Sequence, residues 1–140
     1  MAGLTLNVVT PEREVLRVDN IDIVVAPGID GQLGLLPRHA PLVTQLQPGT
    51  LRYRRGGNDN FLTIIGGFLQ ILNDTVTVLA DGSERSEEID LDRAERARAE
   101  AQRELEEARM SGDDATVVRA RLSLLRALAR IRTAQRSGRS

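Results

Sequence analysis

Cysteine and lysine are both missing from this sequence of 140 residues, and aromatic residues make up only 2% of it. Without cysteine there is no disulfide framework and no thiolate metal site. Because aromatic side chains are so few, aliphatic residues must fill the core, and stacking platforms for single-stranded nucleic acid are scarce. The formal net charge is −1, so bulk electrostatics do not favour nucleic acid as a partner.

Signatures of catalysis and of membrane insertion are missing as well. The sequence has no phosphate-loop, nucleophile-elbow or HExxH motif, and its one histidine, His39, gives no zinc site by itself. No run approaches ~20 apolar residues. Residues 1–10 lack the basic start and the apolar run of a signal peptide. We therefore expect a small subunit that binds partners, with no catalytic residues and no metal.

The first half of the chain has the pattern of short strands. Turn signals rich in glycine, proline, asparagine and aspartate separate apolar runs, and no helical pattern comes between them. The runs cover residues 4–9, 15–18, 21–25, 33–36, 51–55, 61–65, 68–72 and 76–79. Strands at this spacing predict a β-sandwich or a flattened barrel.

The chain changes character near residue 85 and becomes rich in alanine, arginine, glutamate and leucine. A helix is predicted to start near residue 89 or 90, and residues 111–114 (SGDD) break the pattern, because Gly112 favours a helix end and Asp113 or Asp114 a helix start. A short break predicts two antiparallel helices. The residues expected to pack between them are Ala94, Ala97, Ala101, Leu105 and Ala108 on the first helix, and Val118, Leu122, Leu125 and Ala129 on the second. Residues 137–140 are expected to fray.

Charge is distributed unevenly over these two helices. Residues 115–140 contain seven arginines and no acidic residue, whereas the first helix is net acidic. Two interpretations are open: a solvated basic face balanced by its neighbour, or a face that meets an acidic partner surface. His39 likewise has two interpretations, a turn residue with local hydrogen bonds or a residue with a catalytic role.

Two segments resemble the epsilon subunit of F-type ATP synthases of the bacterial and chloroplast type. They are residues 31–42 (GQLGLLPRHAPL) and residues 66–80 (GGFLQILNDTVTVLA). Their order and spacing, followed by a helical hairpin, extend the resemblance over essentially the whole chain. The resemblance implies an α+β fold, in which a ten-stranded β-sandwich (residues 1–85) precedes an antiparallel two-helix hairpin (residues 86–140).

The resemblance also implies partners and a location. The sandwich would bind the gamma subunit and the ring of c-subunits, as part of the central stalk. The hairpin would regulate: extended, it would reach the alpha and beta subunits and block ATP hydrolysis. The chain would then lie at the cytoplasmic face of the inner membrane, peripherally, through the complex. The residues expected to contact partners are Arg119, Arg121, Arg126, Arg130 and Arg132 on the basic helix, and His39 and Leu42 on the sandwich.

A third motif, residues 89–94 (IDLDRA), is similar to the I/L-D-x-x-R-A pattern of epsilon subunits that bind ATP as a regulatory ligand. The matching site would comprise Glu84, Ile89, Asp90, Arg93, Arg126 and Arg130. Arg126 and Arg130 lie at i and i+4 on one helix face, and with Arg93 they would hold phosphates through guanidinium forks. Where tighter ATP binders carry a basic residue on the first helix, this chain has Glu100.

Two other functions fit the same residues. One is a β-sandwich adaptor with a helical arm and no link to a rotary motor, which predicts no binding to gamma. The other is a nucleotide sensor that works alone, which predicts tight ATP binding by the isolated chain and no stable complex.

Overall fold

The computed structural model describes residues 3–138, and its first part consists of ten strands. Apolar runs set off by turn residues form these strands, as the sequence pattern predicts. Their bounds are β1 Leu4–Val9, β2 Glu14–Ile21, β3 Ile23–Gly28, β4 Gly31–Leu35, β5 Leu42–Leu46, β6 Gly49–Arg55, β7 Asn58–Ile64, β8 Gly67–Leu72, β9 Thr75–Ala80 and β10 Ser83–Arg85.

All ten strands belong to one hydrogen-bonded sheet that folds over on itself. The order is β10-β7-β6-β3-β5-β8-β9-β1-β2, and β4 pairs with β3. Neighbouring strands are antiparallel except β1 and β9, which run parallel. Because β2 approaches both β6 and β10, the two ends of the sheet face each other and enclose a sandwich core. The predicted β-sandwich is therefore confirmed.

The core follows the two-residue period of the strands. In β1 the side chains of Leu4, Leu6 and Val8 are fully buried, whereas the residues between them face outward. The same alternation in β8 adds Leu69 and Ile71, and aliphatic side chains with Tyr53 make up the whole cluster. No residue after Ala80 belongs to this cluster among those described.

Two helices, α1 Leu91–Ser111 and α2 Asp114–Arg136, form the predicted antiparallel hairpin. The Asp90 carboxylate accepts the Arg93 amide hydrogen at 3.0 Å and so caps α1. Gly112 ends that helix in the left-handed conformation, at φ 75°, which glycine adopts at little cost. Asp113 caps α2 by accepting from the amide of Thr116 at 3.1 Å. Each such cap stabilises its helix by about 1 kcal/mol.

The predicted packing stripe of α2 is wrong in part. Val118, Leu122 and Leu125 are exposed, and of that set only Ala129 is buried. The buried face carries small residues and one isoleucine instead: Ala120, Ala127, Ala129, Ile131, Thr133 and Ala134. Small side chains occupy the buried face because α2 packs closely against both α1 and the sheet. The larger apolar side chains lie on the remaining side of α2, which faces solvent.

The prediction for α1 is correct except at one position. Ala94, Ala101, Leu105 and Ala108 are buried, whereas Ala97 is exposed. Within residues 3–138, neither helix has the length and hydropathy needed to cross a membrane. Of the tail predicted to fray, residues 139 and 140 lie outside the described part of the chain.

Candidate functional site

A charged pocket lies where the sandwich passes into the hairpin. Its volume is about 370 Å³, within the range of pockets that hold small ligands. Among residues 3–138 its lining consists of Glu84, Glu88, Asp90, Arg93, Ala94, Ala97 and Arg130. Strand β10, the short 3-10 turn Ser86–Glu88 and both helices therefore contribute to one site, which is complete only when the hairpin packs on the sandwich.

An ion pair inside the pocket joins two of the predicted site residues. Arg130 on α2 donates from Nε to Glu84 Oε1 on β10 at 2.7 Å, and both side chains are about one-third exposed. A guanidinium has five N–H donors, so its Nη groups remain available beyond this contact. The pair fixes the end of α2 to the sandwich and orients Arg130 at the pocket wall.

The structure brings together four of the six residues predicted for ATP: Glu84, Asp90, Arg93 and Arg130. Ile89 is buried, only 2% exposed, directly before the helix. Arg126 is exposed and is absent from the pocket lining among the described residues. The three-arginine cluster expected for phosphates is thus reduced here to Arg93 and Arg130.

Glu100 and the remaining arginines predicted to contact partners lie outside the pocket. Glu100 is exposed on α1 and pairs with Arg103 of the same helix. The partner candidates on α2 share an exposed position: Arg119, Arg121, Arg126 and Arg132. These four arginines therefore face solvent while the hairpin is packed on the sandwich, and Arg119 and Arg126 lie on one side of α2, which we call its basic side.

One charged residue of the pocket, Glu88, is not marked by any motif in the sequence. Its carboxylate is held by Arg13 of the β1–β2 turn through two hydrogen bonds, Nη1 to Oε2 at 3.1 Å and Nη2 to Oε1 at 2.9 Å. The same carboxylate accepts the backbone N–H of Arg85 at 3.0 Å. We name these three residues the Arg13 clamp. No local pattern predicts a contact across 75 positions of sequence.

The Arg13 clamp keeps Glu88 ionised. The hydrogen bonds from Arg13, reinforced by those from Arg85, lower the pKa of Glu88 from its usual 4.5 to about 2. Because the pKa is lowered on folding, the contribution to stability is complete above about pH 4.5 and is lost as the pH falls towards 2. At neutral pH Glu88 is therefore an anion with a fixed partner.

The hairpin is attached to the sandwich through the C-terminal end of α2. Besides the Arg130 pair, Thr50 and Thr133 lie 2.8 Å apart through their hydroxyls, and Thr133 donates to the carbonyl of Ala129. The guanidinium of Arg136 lies 5.1 Å from the ring centre of Phe61, within the range of a cation–π contact. These polar contacts accompany the buried side chains of Ile131 and Ala134 at the same end of α2.

An apolar cluster lies on the outer surface of the sandwich. It consists of Val43 on β5, Phe68 on β8 and Leu79 on β9, which are 66%, 54% and 58% exposed. Phe68 and Leu79 are directly opposite in the ladder. A cleft beside them is lined in part by Thr10 and Pro11 of the β1–β2 turn. We call Val43, Phe68 and Leu79 the outer patch; exposed apolar groupings of this kind mark protein interaction sites.

Of the partner candidates on the sandwich, His39 lies in the loop between β4 and β5, and Leu42 is the first residue of β5. His39 Nδ1 lies 2.7 Å from the carbonyl oxygen of Ala40. The neighbouring Arg38, at φ 67°, donates its amide hydrogen to Asp74 Oδ1 at 2.7 Å. Leu42 is half-buried and packs against the core. The loop is thus held in a defined shape with Leu36 exposed beside it.

These features define the architecture of the protein: a sandwich with an exposed apolar patch carries a helical hairpin, and a charged pocket lies at their junction. Two family models match the chain. Residues 3–86 match the ATP synthase delta/epsilon chain β-sandwich domain, and residues 87–135 match the delta/epsilon chain long α-helix domain. The chain belongs to the ATP synthase delta/epsilon chain family, and within it to the epsilon chains.

Curated relatives named ATP synthase epsilon chain support the assignment to the epsilon chains. One from Moorella thermoacetica is 48% identical over 135 residues, covering 96% of this chain and 98% of the relative. One from Desulforamulus reducens is 45% identical over 130 residues, covering 93% and 96%. In a solved structure of the Euglena gracilis mitochondrial ATP synthase, a chain has a TM-score of 0.81 at 23% identity, covering 96% of this chain and 82% of that one. At that identity the likeness supports the fold.

Proposed function

We propose that this chain is a non-catalytic subunit of the rotating central stalk of an F-type ATP synthase. The sandwich docks on gamma and on the c-ring, so the chain is peripheral at the cytoplasmic face of the inner membrane. The hairpin inhibits ATP hydrolysis when it extends towards alpha and beta, and ATP bound to the pocket favours the packed form. Family membership supports the first part, and the outer patch supplies an apolar surface for a protein partner.

The observation that carries the regulatory part is the composite pocket. Glu84 and Glu88 come from the end of the sandwich, Asp90 and Arg93 from α1, and Arg130 from α2. A ligand that spans these elements binds only the packed hairpin. Such a ligand shifts the population towards that form by as much as its affinity differs between the two forms.

The pocket offers an adenine nucleotide suitable groups. Arg93 and the Nη groups of Arg130 are donors for phosphate oxygens. The Asp90 and Glu84 carboxylates accept hydrogen bonds, as the adenine amino group requires. Such a nucleotide selects the packed form when its preference for that form exceeds the free-energy difference between the packed and the extended forms.

Titration of the chain with ATP tests the regulatory ligand. We expect isothermal calorimetry to detect binding at millimolar ATP or below, and Arg93→Gln to weaken it about tenfold, because one charged phosphate contact is lost. Arg119→Gln is the matched control: it removes the same charge from an exposed position of α2 outside the pocket. If the unchanged chain binds no ATP at millimolar concentration, the ligand has no part in the regulation.

A second test concerns the basic side of α2. Replacing Arg119 and Arg126, which are exposed about two helical turns apart on one side of α2, by glutamine is expected to weaken inhibition of ATP hydrolysis in the assembled enzyme about twofold to fivefold, because two cations facing an acidic surface are removed. The control removes two exposed cations from α1, Arg96 and Arg109. Equal inhibition by both double variants would leave the basic side of α2 merely solvated.

A further inference from the structure

The charges of the pocket conflict with its proposed ligand. Its lining holds three carboxylates, Glu84, Glu88 and Asp90, against two guanidinium groups, Arg93 and Arg130. Left to themselves, these groups carry a net negative charge and repel a polyphosphate. Two of the three carboxylates have their own local partners, since Asp90 caps α1 and Glu84 pairs with Arg130. Glu88 is the carboxylate whose charge is balanced from outside the pocket.

Arg85, three residues away, supplies part of that balance, and Arg13, far away in the sequence, contributes two shorter hydrogen bonds. Arg13 contacts both oxygens of Glu88 and is absent from the pocket lining among residues 3–138. Its own position is fixed by the β1–β2 turn, in which the amide of Thr10 donates to the Arg13 carbonyl at 2.9 Å. The Arg13 amide donates in return to Thr10 Oγ1 at 3.3 Å. The turn therefore holds a guanidinium against the outer side of the carboxylate.

We infer that Arg13 is a positioning residue for the nucleotide pocket: by holding and neutralising Glu88, it allows the pocket to accept an anionic ligand. This inference rests on the proposed function, since the ligand is a nucleoside triphosphate. Arg13 acts in two ways. It turns the Glu88 oxygens towards itself, and it cancels at short range the charge that a phosphate group would otherwise meet. Arg85 contacts the same carboxylate, so loss of Arg13 removes part of the compensation.

The inference predicts a change in affinity that depends on ligand charge. For the full chain at low ionic strength, Arg13→Gln should raise the Kd for ATP about threefold to tenfold, and added salt should shrink the difference. The Kd for adenosine should stay within about twofold, because adenosine carries no charge for Glu88 to repel. The double variant Arg13→Gln with Glu88→Gln should return the Kd for ATP towards that of the unchanged chain.

Arg17→Gln is the matched control. It removes the same charge from an exposed position of β2, and no contact joins Arg17 to Glu88 among the described hydrogen bonds and ion pairs. Equal Kd values for ATP in the Arg13 and Arg17 variants would overturn the inference alone. Equal losses for ATP and adenosine that Glu88→Gln does not rescue would also overturn it, because Arg13 would then only support the local fold. Absence of ATP binding by the unchanged chain would overturn the proposed ligand, and this inference with it.

Discussion

Removing the hairpin is expected to raise ATP hydrolysis by the assembled catalytic head severalfold. The change is truncation after Glu87, which deletes both helices. Because every described core residue of the sandwich lies at or before Ala80, the truncated chain keeps its core and its outer patch. It should therefore still dock while losing the segment that inhibits.

Hydrolysis rates of the complex with the full and the truncated chain are the measurement. A chain that ends after Gly138 is the control for truncation itself, since it keeps both helices intact through Arg136. Thermal unfolding of the truncated chain must show a cooperative transition, so that a higher rate is not due to a subunit that has unfolded. Equal rates with and without the hairpin would mean that the hairpin does not inhibit hydrolysis. The proposed role of the chain would then be only to couple the catalytic head to the c-ring.

Placing a charge in the outer patch is expected to abolish docking on gamma. Phe68→Asp puts an ionised carboxylate into the apolar surface that gamma is proposed to cover. Burying an unpaired charge in that interface costs several kcal/mol. That cost corresponds to a loss of affinity of at least about a hundredfold. Phe68 points outward and is more than half exposed, so the stability of the sandwich itself should fall by only about 1–2 kcal/mol, from the lost pair with Leu79 and the low strand propensity of aspartate.

Co-purification with gamma, followed by a titration of the separate subunits, measures this effect. Met110→Asp is a suitable control, because Met110 is the most exposed of the large apolar side chains described and lies on α1, away from the patch. Loss of gamma binding in the Phe68 variant alone would support docking at the outer patch. Normal binding by both variants would move the docking surface to another face of the sandwich.

The sequence predicted the fold well wherever the signal was local. Alternating residues mark β1, and Gly112 and Asp113 mark the break between the helices because each acts through its own backbone neighbours. The eight runs recognised in the first half omit β5 and β10. Strand β5, Leu42–Leu46, mixes apolar and polar residues and is defined by pairing with β8. Strand β10 has only three residues and depends on β7.

The candidate site could be predicted only in part, for the same reason. The motif around Asp90 and Arg93 is local and lines the pocket as expected. The contact between Glu88 and Arg13 joins two distant turns, which no spacing rule can anticipate. Arg126 illustrates a second limit. Its i, i+4 relation to Arg130 places both on one side of α2, but only Arg130 reaches the end of β10.

The parallel pairing of β1 with β9 has a consequence for synthesis of the chain. Thr5 pairs with Thr75, so the first strand emerges from the ribosome long before the strand that covers one of its edges. At about 5–20 residues per second, an apolar strand waits for several seconds with that edge open, paired only with β2. The sandwich closes when β9 arrives, and the helices follow in order. The hairpin is thus the last part of the chain to appear, and it packs onto a surface that is already folded.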